Sequence, residues 1–442
     1  MGEPAEKNLS GKVGLYSASN IVVANMIGAG IFTTSGLLMS GLNNPVLLIF
    51  LWITGGIIAL CGAVSYAILG AAMPRAGGEY VFLSRLYHPV LGFLSGWVSF
   101  IVGFSAPIAA SAIGFSEYFY RAFPEFPGTG KILAILVIIL FTAIHLRGLQ
   151  FGTRIQNALT LLKVLLIILL ILTGLLLGKG DLHHFTHGTA VDWSYGGLKT
   201  MGLSLMWIMF AYSGWNASTY IGSEIIHPAR NIPRSLLFGT GTVLILYVLL
   251  NFVFVYAIPP NDMKGVISIG GLAIRNLFGS TMEIAFSLLI AFALFSSLSA
   301  FIILGPRVYY AMATDGYFFK FVTKIHPRFR VPSGAIALQA AMAMIMVLSG
   351  TFDQILTYMG FSLGIFPLLA VAGVFKLKKM QLSGFPVRGL PVMLIIYLLF
   401  GVIMLVLSFL ERPAESSVAI ITVISGIPVY LLFSRNFKHR TG

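Results

Sequence analysis

This sequence predicts an all-α polytopic membrane protein with twelve transmembrane helices, on three observations. Hydrophobic residues fill 57% of the 442 positions and charged ones only 10%, with a mean hydropathy of +0.93; soluble chains run near a quarter charged. The apolar residues gather in runs long enough to cross a hydrocarbon core, which takes roughly 20 helical residues. Lysine and arginine sort unequally between the two sets of connecting segments, as the positive-inside rule requires.

The spans fall at 13–40, 45–72, 89–120, 131–146, 155–178, 198–226, 234–258, 281–313, 332–350, 353–376, 391–410 and 414–434. With the N-terminus placed inside, the inner segments and span ends carry 20 of the 28 Lys and Arg and the outer ones seven; Lys163 alone lies well inside a span. Both termini are therefore expected in the cytoplasm, at the cell membrane, with 1–12 and 435–442 as cytoplasmic ends. The first dozen residues are polar and no cleavage-site pattern follows them, which argues against a removed signal peptide. The net charge of +14 is spread over loops rather than gathered in a groove, so it reads as topology and not as a nucleic-acid surface. Cys61, the single cysteine, excludes an internal disulfide and a cysteine metal cluster. The outer segment 179–197 holds Asp181, His183, His184, His187 and Asp192 and reads as a solvated loop. Inner segments 73–88 and 314–331, rich in Gly, Pro and charge, read as ordered connections or short surface helices.

Span 1 breaks in its middle, at Asn25-Met26-Ile27-Gly28-Ala29-Gly30-Ile31-Phe32. Each glycine costs a helix interior roughly 1 kcal/mol relative to alanine. In a membrane, unwound backbone is tolerated only where protein or a water-filled cavity satisfies it. Span 6 has a second polar interruption, Phe210-Ala211-Tyr212-Ser213-Gly214-Trp215-Asn216-Ala217-Ser218, five helices later. Interrupted spans at matching places in two five-helix units point to an inverted repeat with its site between them. The repeats are then 13–178 and 198–376, with 391–434 as two peripheral helices.

A half-helix that starts in mid-membrane presents free N–H groups and a positive dipole end; one that stops there presents free carbonyls. Such a pair suits a zwitterion. Its carboxylate is expected at the N–H groups of Ala29, Gly30 and Ile31, and its ammonium at carbonyls near Met26, Ile27, Phe210 and Ala211. The fourteen acids sit at span ends or in loops, with Glu117, Glu224 and Glu283 nearest the interior. A centre without carboxylates favours a substrate that brings its own. Lys163, eight residues into span 5, costs about 3 kcal/mol on insertion scales unless it faces the bundle. Ser296, Ser297 and Ser299 of span 8 offer it partners. Phe210 and Trp215 flank the second break as candidates for gate or pocket wall.

Gly28-Ala29-Gly30 lacks a preceding strand and a Walker lysine, so it is no nucleotide loop. The spans hold no convergent acid, base or metal constellation, so neither an enzyme nor a cofactor or metal is expected. An organic-cation carrier that stacks its substrate on Phe210 or Trp215, and a non-transporting amino-acid sensor, remain as alternatives.

At several of these places the chain resembles the amino acid–polyamine–organocation (APC) superfamily, and within it the bacterial and L-type amino-acid permeases. The resemblance lies in Ile27–Phe32, in Pro74-Arg75-Ala76-Gly77-Gly78-Glu79-Tyr80, in Phe210–Asn216, in Arg230-Asn231-Ile232-Pro233-Arg234 and in Arg307–Gly316, covering roughly 13–330. It implies the LeuT-like fold, alternating access, sodium-independent exchange or proton-linked transport of an amino acid, and main-chain recognition of that amino acid at the two breaks. It also implies that Lys163 stands where sodium-coupled relatives hold a sodium ion, tying Gly28 and its neighbours to Ser296 and Ser297. Many members have Gly-Ser-Gly where this chain has Gly28-Ala29-Gly30, so one hydroxyl donor to the carboxylate is missing. Ser213, a glycine in many L-type relatives, narrows the space beside Phe210 and favours small or medium side chains.

Overall fold

The computed structural model describes residues 13–126, 129–350, 352–379 and 389–441. The expected N-terminal segment 1–12 and Gly442 lie outside them. The regular structure of the described residues is helical, apart from two isolated bridges, Val13 to Ile225 and Ile325 to Pro332.

Span 1 is two helices, α1 (Leu15–Met26) and α2 (Ala29–Leu42). After it come α3 (Pro45–Ala72), the short α4 (Glu79–Leu86), α5 (Pro89–Val98), α6 (Ser105–Ala122), α7 (Gly130–Leu146) and α8 (Leu149–Leu176). Beyond the outer loop lie α9 (Tyr195–Ala211), a 3-10 segment at Ala217–Glu224, and α10 (Pro228–Ala257). Two short helices, α11 (Pro260–Met263) and α12 (Ile269–Phe278), precede α13 (Ser280–Thr314). The chain closes with α14 (Ser333–Ser349), α15 (Phe352–Lys379), α16 (Leu390–Glu411) and α17 (Pro413–Thr441), so residues 435–441 of the expected tail continue a helix.

Local chemistry sets several boundaries. Asn44 caps α3 by accepting from Leu47 N at 2.8 Å, with Pro45 at the first helical position where no N–H is missed. Ser194 caps α9 in the same manner, through Gly197 N. Span 3 is continuous in direction but carries a π turn at Ser99–Gly103 between α5 and α6. Such turns leave backbone groups free, and here Ser99 O accepts from Tyr309 OH on α13 at 3.2 Å.

Among the described residues, nine helical stretches are long and apolar enough to cross a membrane. Expected spans 131–146 and 332–350 appear as the 17-residue helices α7 and α14, about 26 Å long at 1.5 Å per residue. Span 198–226 stops at Ala211 and resumes as a 3-10 segment.

Burial separates centre from rim. In the most apolar windows of Leu15–Leu42 and Pro89–Ala122, 89% of residues are buried, against 22% in α16 and 17% in α17. α1 packs against α10, α8 and α13, and α13 packs along α6. α8 sorts its faces by polarity: Leu161, Leu165, Ile168 and Leu172 point outward, while Gln156, Thr160 and Lys163 are fully buried.

One end of the bundle is tied by polar contacts. The buried Arg307 of α13 pairs with Glu224, Nε to Oε1 at 2.8 Å. Val13 N donates to Glu224 O at 2.9 Å and Ile226 N to Val13 O at 3.0 Å, joining the start of α1 to the end of the 217–224 segment. Arg75 and Tyr80 both meet Asp315, each at 2.7 Å, linking the two inner segments. Segment 73–88, expected as an ordered connection or a short surface helix, does hold the short helix α4, but α4 buries Glu79, Tyr80, Val81, Phe82, Leu83 and Leu86 and packs against α5 and α15.

Candidate functional site

The first break is narrow. Ile27 N donates to Val23 O at 2.9 Å and closes α1; Ile27 (φ −74°, ψ 86°) and Gly28 (φ −116°, ψ −159°) then run extended before α2 begins at Ala29. The leading N–H groups of α2 have no acceptor within their own helix and face the gap. Gly28 is not needed for its dihedrals, which any residue adopts. Gly30 is needed for space: a Cβ there would lie 2.7 Å from both Cα and Cβ of Ala211 and 3.2 Å from the Phe210 ring.

The second break begins where α9 ends. Ser213 N turns back to Phe210 O at 2.8 Å, and Gly214 takes φ +98°, the left-handed region that glycine alone enters freely. A Cβ on Gly214 would sit 2.6 Å from Asn25 Cβ. The two breaks thus touch twice, Gly30 against Ala211 and Gly214 against Asn25.

The carbonyls freed at these breaks already have partners. The Lys163 ammonium donates to Ile27 O, to Ala24 O at 3.3 Å and to Ser297 Oγ at 2.8 Å, while Ser297 Oγ donates to Ile27 O at 2.6 Å. Tyr247 OH of α10 lies 2.5 Å from Met26 O and 3.0 Å from Ala211 O, bridging the ends of both broken helices. Phe210 O accepts from the backbone of Ser213. Of the three serines offered to Lys163, Ser297 is there; Ser296 instead meets Gln156 Nε2 at 3.2 Å and Thr160 Oγ1 at 3.1 Å, and Ser299 Oγ lies 2.9 Å from His145 Nε2. Gly28 lies beside this cluster, 3.7 Å from Ser297 Oγ to an added Cβ.

A small cavity lies at the breaks, lined by Asn25, Met26, Gly28, Ala29 and Gly30 on one side and Phe210, Ala211 and Ser213 on another; α6 closes it with Pro107, Ala110 and Ser111. Ile31 is buried one position beyond the lining. Phe210, Asn25, Ser213 and Phe301 also line a larger cavity that extends between span 3, the second break, α15 and α16. Phe210 therefore stands between the two spaces. Trp215 lines only the larger one and stacks edge-on against Tyr66 and Tyr397, with centroids 4.8 and 5.7 Å apart.

Sequence reasoning missed four features here. Tyr247 looks like an ordinary wall residue in an apolar run. Asn25 is 2% exposed and lines both cavities; its amide nitrogen donates to Ile21 O at 3.0 Å, and its oxygen has no partner among the described residues. Ser111 lines the smaller cavity. Glu79, expected in a surface connection, buries its carboxylate in the wall of the larger cavity. It accepts from Tyr66 OH at 2.8 Å, Asn216 Nδ2 at 2.6 Å and Tyr220 OH.

This arrangement offers dipole ends and fixed polar groups at the middle of an apolar bundle. The model of the amino acid permease family matches residues 13–433. The chain belongs to that family. This permease is 29% identical over 434 residues to the serine/threonine exchanger SteT of Bacillus subtilis (strain 168), covering 96% of this chain and 97% of that one. It is 27% identical over 433 residues to the human large neutral amino acids transporter small subunit 2, covering 96% and 80% of the two chains. The human Asc-type amino acid transporter 1 is 25% identical over 436 residues, covering 96% of the permease and 82% of the relative. Family membership makes the chain a multi-pass membrane protein of amino-acid transport, and its relatives are transporters rather than enzymes.

Proposed function

We propose that this permease is a sodium-independent secondary transporter that exchanges, or carries with protons, a neutral amino acid across the cell membrane by alternating access. In this reading the chain crosses twelve times with both ends in the cytoplasm, 13–178 and 198–376 form two inverted five-helix repeats, and α16 and α17 are peripheral. The substrate carboxylate docks on the N–H groups of Ala29, Gly30 and Ile31. The ammonium faces Asn25 Oδ1 and the second lone pairs of the Met26 and Ala211 carbonyls, since a carbonyl oxygen accepts two bonds; Ile27 O, expected beside it, is filled by Lys163 and Ser297. Lys163, with Ser297, holds α1 to α8 and α13 through Ile27 O, the work a bound cation does elsewhere. Phe210 separates the substrate from the larger cavity, and Trp215 braces that cavity's wall.

The observation that carries this reading is the contact of two broken helices across one small cavity, in a chain whose relatives are named as amino-acid exchangers and transporters. It favours an amino acid over a bare amine, because the charge presented by a helix N-terminus is positive. Counterflow tests it. Proteoliposomes loaded with a small neutral amino acid are expected to accumulate the labelled form, with the decarboxylated amine failing to compete. Ligand binding without trans-stimulated flux would instead mean a sensor, and equal competition by the amine an organic-cation carrier.

A further inference from the structure

Ser111 is a hydroxyl without a partner at the one place where a carboxylate would need it. Its side chain lines the cavity at the breaks, the residue is 2% exposed, and among the described residues its Oγ makes no hydrogen bond. Neighbouring serines of the same helix do find partners: Ser105 Oγ donates to Phe100 O at 3.0 Å and Ser116 Oγ to Ile113 O at 2.7 Å. A buried hydroxyl left unpaired is disfavoured, so an unpaired one that faces a cavity points to an occupant.

Two contacts fix its level along the bundle. A Cβ on Gly114 of α6 would lie 3.4 Å from Ala29 Cβ, and Tyr118 OH, four residues on, donates to Phe32 O at 2.8 Å. α6 and α2 therefore run side by side in the same direction, with Gly114 level with the first residue of α2. Ser111 is three residues earlier on the same face of α6, about 4.5 Å before Ala29 along the axis. The N–H groups at a helix start point toward that side. Ser111 Oγ thus stands in front of the α2 N-terminus, across the gap from the N–H groups of Ala29 and Gly30.

We propose that Ser111 is a substrate-binding residue that donates its hydroxyl hydrogen bond to the α-carboxylate of the amino acid. The assignment rests on the transport reading above and deepens it. In the Gly28-Ala29-Gly30 break the middle residue has no hydroxyl to offer, and Ser111 supplies one from the opposite helix. The carboxylate then has donors on two sides, backbone from α2 and side chain from α6.

The test compares Ser111→Ala with the unmutated protein in proteoliposome exchange, using a neutral amino acid and its primary amide as competitor. A hydrogen bond to a charged group is expected to cost about ten- to a hundredfold in apparent KM when removed. Discrimination between the acid and its amide is expected to fall by the same factor, a ratio that does not depend on how much variant folds. Adding Ala29→Ser to Ser111→Ala is expected to restore both, because the hydroxyl returns on the other side of the same carboxylate. A KM within twofold of the unmutated protein, or a raised KM with unchanged acid-to-amide discrimination, would overturn the role of Ser111 while leaving the transport reading intact. No amino-acid exchange by the unmutated protein would overturn both.

Discussion

Gly30 sits where no side chain fits, since an added Cβ would press within 2.7 Å of Ala211. Relief would need the second break to move away from the first, and overpacking of this kind costs about 1–3 kcal/mol. Gly30→Ala is expected to reduce exchange at least tenfold per folded molecule. Gly28→Ala, whose nearest new neighbour is 3.7 Å away and whose φ is ordinary, is expected to change it less than about twofold. Equal losses in the two variants would contradict the geometry. Both glycines were legible as a break, but only their neighbours in space reveal that Gly30 is there for contact while the place of Gly28 has room for a side chain. Lys163 was legible because a charge in an apolar run has to be accommodated by something. Tyr247 and Ser111 were not, because a tyrosine or serine in a span is most often wall, and no spacing rule says where its oxygen points.

At the scale of elements, α4 does more than connect. Its Glu79 joins Tyr66 of α3 to Asn216 and Tyr220 beyond the second break, so the short helix grips the far half of span 6. Burial pushes the Glu79 carboxyl above the usual carboxylate range, more than its three donors pull it down. Tyr66, Tyr220 and Tyr397 are the titratable groups that face it. A folded-state value raised above the unfolded one, about 4.3 for glutamate, gives stability that is fully present below that pH and is lost as pH rises through the raised value. Thermal unfolding of the detergent-purified protein, followed by tryptophan fluorescence, is expected to show this loss as pH rises above the ordinary glutamate value, and Glu79→Gln is expected to flatten it. Parallel profiles for the two proteins would refute the assignment. The sequence marked this segment as Gly- and charge-rich and hence superficial; the tertiary pocket that receives Glu79 has no local signature. The π turn at Ser99–Gly103 was equally invisible, because one extra residue in a helical turn leaves hydropathy unchanged.

For the molecule as a whole, hydropathy was enough to read an all-helical membrane protein, because in a membrane every backbone group must be satisfied within a helix unless a cavity takes over. The two exceptions to that rule, at Ile27–Gly28 and Tyr212–Asn216, meet each other in space and are closed off by α6, α8, α10 and α13. Two hydrogen-bond clusters pin their carbonyls: Lys163 with Ser297, and Tyr247. In the proposed reading Lys163 Nζ at Ile27 O takes the place of a sodium ion there, which is the centre of this account. The direct measurement is amino-acid exchange by the purified protein in liposomes with sodium replaced throughout by a bulky organic cation. Exchange rate and apparent KM are expected to stay the same with and without sodium. A rate that rises with sodium concentration and saturates would contradict the account.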